Sequence, residues 1–156
     1  VTPTAIRIPS IGVDSNDFVQ VGLDKAGAME VPPLSKPREM AWFSRSPVPG
    51  NLGPSVIVSH RNGNGMQGGF AKLDSVKVGA TVEVDRSDGR TMVFKVRRTE
   101  LYSKAQADAH ADEVYGDTID PELRLITCSG ELDAKHHNYL SQRVVMANLD
   151  SIKAAM

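Results

Sequence analysis

The one cysteine of the chain, Cys128, stands in the stretch Leu123–Asp133, LRLITCSGELD. An apolar, β-branched run climbs to Thr127-Cys128 and stops at Ser129-Gly130. Free cysteine often serves as a small core hydrophobe. A strand end, however, holds a side chain rigidly while its exit loop leaves a site open, which suits a nucleophile. Only the thiolate attacks, and a thiol of ordinary pKa is little ionised near neutral pH, so a base or cation is needed beside it. His60 ends a second apolar run, VIVSH, and likewise opens into Gly and Asn; it is the candidate acid/base. Arg143 opens the last strand, in QRVVMANL, where a guanidinium would donate two hydrogen bonds to a carbonyl or a tetrahedral oxyanion. The plainer alternatives are a buried thiol, a turn histidine and a solvated edge arginine.

Other clusters carry less chemistry. Glu131, Asp133, His136 and His137 crowd into GELDAKHHNY, but adjacent histidines in one loop seldom converge without a third fixed ligand, so no metal is expected. RNGNGMQGGF is glycine-rich without the Gly-Lys-Ser/Thr ending of a phosphate-binding loop, and reads as a loop beside His60. DSNDF lacks the Gly and terminal Glu of a calcium loop. His110 falls on a polar helix, where solvation is the expectation. No cofactor is called for.

The elements that must position Cys128, His60 and Arg143 are mostly short strands. AIRIPSIGV is branched and apolar, with Pro9 marking an edge or a break; FVQVGL alternates; GAMEVPP reads as a short strand closed by two prolines. REMAWFS carries the single Trp and runs into the turn-rich RSPVPGNLGP. SVIVSH is continuously apolar, as for a strand buried on both faces. Val82 and Val84, then Met92, Phe94 and Val96, alternate around Asp88-Gly89, which supplies the φ > 0 residue of a tight hairpin. YSKAQADAHADEVYG is the one strong helical segment, ending near Gly116, and FAKLDSV reads as a single turn. ELRLIT and RVVMANL are the last strands. About eight strands with one or two short helices predict a mainly β, closed or nearly closed barrel.

Length and composition agree. At 156 residues the chain fits one domain, 1–156, and can bury roughly 68–70% of its unfolded surface. A net charge of −1 and 5% aromatic residues argue against nucleic acid as a partner. No apolar run is long enough to span a bilayer.

The order His60 in SHRNG, Cys128 in LITCSG and Arg143 in RVVM resembles that of the sortases, the cysteine transpeptidases of Gram-positive cell surfaces. Their Leu-x-x-Thr-Cys signature is matched within Leu123–Cys128, with Leu125-Ile126-Thr127-Cys128 as the informative core. IRIPSIGV, VGLDKAGAMEVP, AWFSRSPVPGNLGPSVIVSH and YGDTIDPELRLITCSG are similar to the class F group of actinobacteria, and the resemblance runs from Ile6 to Leu149. It implies an eight-stranded sortase-like barrel. Cys128 would be the nucleophile, His60 the general acid/base, Arg143 the oxyanion and substrate arginine, and Thr127 a residue along the substrate groove. Substrates would be surface proteins with a C-terminal Leu-Pro-x-Thr-Gly-like signal, cleaved between Thr and Gly through a thioester and passed to a peptidoglycan-precursor amine. The enzyme would work on the outer face of the plasma membrane, held by an N-terminal anchor that these 156 residues do not include. Ser59 and Arg61 depart from the family pattern, and the loop after Cys128 differs in length by about one residue, which leaves Arg124 and Arg61 as fallback candidates for the arginine.

Two other readings compete. An L,D-transpeptidase also uses Cys and His on a β fold but approaches its thiol through a Ser-x-Gly-Cys-type motif, where this chain has LITCSG. A non-catalytic extracellular barrel would merely bury Cys128. A papain-like protease is disfavoured because its Cys precedes its His.

Overall fold

The computed structural model describes residues 1–33, 35–63, 65–103, 106, 109–116, 118–128 and 141–154, with Cys128 and Ser141 described by their backbone alone. Branched apolar residues alternating with polar ones set the strands. In chain order these are β1 (Pro3–Ile8), β2 (Val13–Ser15), β3 (Phe18–Val21), β4 (Met40–Phe43), β5 (Gly53–His60), β6 (Asn62–Gly63), β7 (Met66–Gln67), β8 (Thr81–Arg86), β9 (Arg90–Ser103), β10 (Pro121–Cys128) and β11 (Ser141–Ala154). Nine of them form one sheet in the order β2-β1-β8-β9-β11-β10-β5-β4-β3, while β6 and β7 pair separately as a small hairpin. The sheet curls until β1 and β3 come back into contact, giving the nearly closed barrel expected, with nine strands rather than eight. The extra strand arises at Pro9, which lacks an N–H and opens a 3-10 turn (Pro9–Ile11) that splits one apolar run into β1 and β2.

Two apolar layers follow from strand alternation. Ile57, Leu123, Leu125, Val145, Ala147, Phe94, Val82, Val84, Ile6 and Ile8 fill the barrel interior. Val56, Val58, Ile126, Val144 and Met146 point the other way and are covered by Val114 of α1 (Ala111–Tyr115). Strand β5 is therefore buried at every position, as its unbroken apolar run implies. The Asp88-Gly89 hairpin joins β8 to β9 with Gly89 at φ 84°, and the Asp88 carboxylate accepts from the guanidinium of Arg86.

Other expectations change as well: Tyr102 and Ser103, read as the start of the helical segment, end β9 instead. GAMEVPP is not a strand: it contributes one bridge, Leu23 to Met29, around a turn in which the Asp24 carboxylate accepts the N–H groups of Ala26 (2.9 Å) and Ala28 (3.0 Å). A side chain that ties down its own downstream backbone competes successfully with strand pairing. His110 is not simply solvated: its ring stacks on Tyr102 at 4.9 Å and it pairs with Glu113 at 3.0 Å. The turn predicted in FAKLDSV is present as a 3-10 turn, Leu73–Ser75.

Candidate active site

Strands β5 and β10 run parallel, in an unbroken register that ends with Thr127 opposite Ser59 and Cys128 opposite His60. Parallel neighbours lie about 4.8 Å apart, so Cys128 and His60, far apart in sequence, end side by side at one edge of the sheet. Strand β11 is antiparallel to β10 on its other side, with Ile126 opposite Val144. Arg143 therefore reaches the same end of the sheet, one residue along. The three candidates sit on three consecutive strands.

His60 is 3% exposed. Its Nε2 lies 2.5 Å from the carbonyl oxygen of Pro32, and its Nδ1 is buried without a hydrogen-bond partner among the described residues. Ser59, on the opposite face, donates to the carbonyl of Glu39 at 2.7 Å and reaches that of Pro37 at 3.4 Å. The chain after β7 packs close as well: Gly68 N–H donates to Arg61 O (2.8 Å) and Phe70 N–H to His60 O (3.0 Å).

Arg143 lies on the face of Thr127. Its backbone N–H donates to the Thr127 hydroxyl at 2.8 Å, its Nε to Asp74 at 2.9 Å, and its guanidinium reaches Thr99 at 3.4 Å. Asp74 also receives Arg61 at 3.1 Å. Partial burial alone would raise the Asp74 pKa, but the hydrogen bonds from Arg61 and Arg143 outweigh it and hold the carboxyl below its ordinary value. Thr127 is fully buried, and its hydroxyl accepts from the Arg143 N–H at the start of β11. Of the fallback arginines, Arg61 is engaged with Asp74, while Arg124 is 1% exposed and ion-paired to Glu122 at 2.8 Å, and donates to the carbonyls of Leu123 and of Glu113 in α1. Arg124 is thus a structural cation.

The register adds residues that sequence reading passed over. The β10–β11 pairing ends at Ile126–Val144, and two residues before Val144 on β11 stands Gln142, opposite Tyr102 on β9. His60 and Cys128 form one pair and Gln142 and Tyr102 another, at the same end of the sheet. The Tyr102 hydroxyl is buried without a partner among the described residues, and burial raises its pKa. Neither Gln142 nor Pro32 carried a local signal, because each is brought in by long-range pairing. Glu131, Asp133, His136 and His137 lie outside the described residues. An open cleft of about 400 Å³, lined in part by Asp14, Asp17, Arg38, Gly68, Gly69 and Lys72, neighbours the loop after His60 but does not include His60 itself. Among the described residues no helix is long and apolar enough to cross a membrane.

The sortase domain model matches residues 6–150. Among curated protein sequences none matches this chain. Solved structures similar in fold include sortase A of Listeria monocytogenes, at TM-score 0.70 and 16% identity, covering 100% of this chain and 91% of that one. Sortase E of Streptomyces avermitilis matches at TM-score 0.69 and 14% identity, covering 98% and 91%, and sortase C-1 of Actinomyces oris at 0.69 and 18%, covering 94% and 73%. These likenesses span several sortase classes at nearly equal scores and do not single out class F. With nearly the whole chain inside the domain model and the nucleophile and base candidates register partners at one sheet end, this chain belongs to the sortase family and is a sortase transpeptidase.

Proposed function

We propose that this transpeptidase, its residues 1–156 forming one catalytic domain of the class F type, works at the surface of a Gram-positive bacterium. It cleaves a Leu-Pro-x-Thr-Gly-like signal between Thr and Gly, holds the acyl group as a thioester on Cys128, and passes it to a peptidoglycan-precursor amine. The observation that carries this reading is the Cys128–His60 register at the ends of two parallel strands. A base adjoining a thiol generates the nucleophile, and the same imidazole then serves the leaving and incoming amines.

Arg143 is assigned to the oxyanion and substrate. The role requires its guanidinium to exchange Asp74 for the substrate. Thr127 contributes by fixing the Arg143 backbone. Gln142, at the same end of β11 as Arg143, offers an amide donor. Arg143→Lys should be severely impaired, because a point charge cannot replace a planar fork. Near-normal turnover of Arg143→Lys, with loss in Gln142→Ala, would transfer the oxyanion role to Gln142.

The test is intact-protein mass after incubation with a Leu-Pro-x-Thr-Gly peptide, with and without an added amine. The expected result is an acyl adduct on Cys128 that the amine discharges, absent in Cys128→Ala. Cleavage without an adduct on Cys128 would rule the thioester out.

A further inference from the structure

The environment of His60 distinguishes its two ring nitrogens. Nε2 faces the Pro32 carbonyl at 2.5 Å. A carbonyl oxygen can only accept, so Nε2 must carry the proton. Nδ1 is buried and unpartnered among the described residues, and with the proton on Nε2 it carries the lone pair.

Pro32 is well placed for this. It is buried, and the following residue, Pro33, has no N–H and forces Pro32 into extended backbone. The strap that carries it is tied at both ends. Glu30 N–H donates to Gly22 O at 2.8 Å, and Gly69 N–H donates to Pro37 O at 2.9 Å; within it Lys36 N–H donates to Pro33 O at 2.9 Å. Among the described residues Pro32 belongs to no strand, so the imidazole satisfies its buried carbonyl and is oriented by it.

We infer that the Pro32 carbonyl is the orienting partner of His60: it fixes Nε2 as a permanent donor and makes Nδ1 the nitrogen that exchanges protons during transpeptidation. The inference rests on the reading of Cys128 and His60 as nucleophile and base. In the acylation half, Nδ1 takes the thiol proton as sulfur attacks the Thr carbonyl carbon. Nδ1–H then returns that proton to the leaving Gly nitrogen as the C–N bond breaks and the thioester remains. In the second half, the incoming amine attacks the thioester carbon and gives a proton to Nδ1. The C–S bond breaks and the proton passes to sulfur. Nε2–H stays on Pro32 throughout. Pro32 is a positioning residue in this scheme: it acts through His60, as the third group of a triad acts through its base.

The test uses the whole chain, labelled with ¹⁵N and observed above the imidazole titration range. Four histidines are present, and the His60 signals are identified by their loss in His60→Gln. The expected spectrum shows a bare Nδ1 and a slowly exchanging, downfield Nε2–H. Loosening the strap with Pro33→Gly should average the two tautomers and lower kcat by about ten- to a hundredfold, the scale of a misplaced catalytic group, with KM nearly unchanged. A His60 protonated at Nδ1, or one whose Nε2–H exchanges like that of a free imidazole, would overturn the inference even if the thioester forms. The expected spectrum in a protein that forms no thioester would instead sink the catalytic reading and leave the hydrogen bond standing.

Discussion

At the scale of single residues, Asp74 shows how charge is managed beside the proposed site. It accepts from both Arg61 and Arg143, and these bonds hold its pKa low against the opposing effect of burial. A carboxyl whose folded pKa is depressed stabilises the protein above its unfolded value, near ~3.9, and that contribution fades as pH falls through the folded value. Asp74 keeps 43% of its side chain exposed, so solvent screening holds the contribution of each pair to about 1 kcal/mol or less. Asp74→Asn should therefore melt slightly lower than the native chain at pH 7. The gap should close once the pH is below the depressed pKa, where the native carboxyl is neutral too. Thermal melts of both proteins across pH 2–7 check this. The same clasp explains why Arg143, legible in the sequence as a cation at the start of a strand, could not be assigned a partner there: Asp74 lies on a turn in the middle of the chain.

Among the elements, the loop after His60 is held by close backbone approach. A Cβ on Gly68 would lie 1.9 Å from the His60 carbonyl oxygen and 2.5 Å from its carbon, so neither side can yield without moving the backbone that carries His60. Gly68→Ala should lower stability by about 1–3 kcal/mol, the range of an overpacked core site, and lower kcat with it; chemical denaturation beside steady-state kinetics separates the two effects. At the start of β11, Thr127→Val keeps the shape and removes the acceptor of the Arg143 N–H. The expected loss is about 1–3 kcal/mol, the cost of a buried donor left unpaired, read from the same denaturation curves. Strands β5, β8, β9 and β10 were legible because alternation and unbroken apolar runs are local properties. The strap over His60 was not. Its prolines read as the end of a strand, because nothing near Pro32 in sequence says that its carbonyl meets a side chain on β5. The Asp24 turn was missed for a related reason: Met29, Val31 and their neighbours mimic a strand, and the side chain that prevents one lies upstream.

For the whole molecule, stability resides in the interior layer beneath the site. Leu125 is fully buried between Ile57 on β5 and Val145 on β11. Leu125→Ala should cost about 2–5 kcal/mol, a lost transfer term plus a cavity, seen as a lower denaturation midpoint. Composition and patterning made the barrel legible, yet they left open which strand lies beside which, and it is the adjacency of β5 and β10 that sets Cys128 beside His60. That adjacency bears on the life of the protein before it folds. A parallel pair between the middle and the end of the chain closes a long loop and belongs among the slower steps of folding. Until the last third of the polypeptide has docked, the thiol has no imidazole at its side. With the roles proposed for Cys128 and His60, the unfolded chain is therefore chemically disarmed, and folding is the switch that arms it.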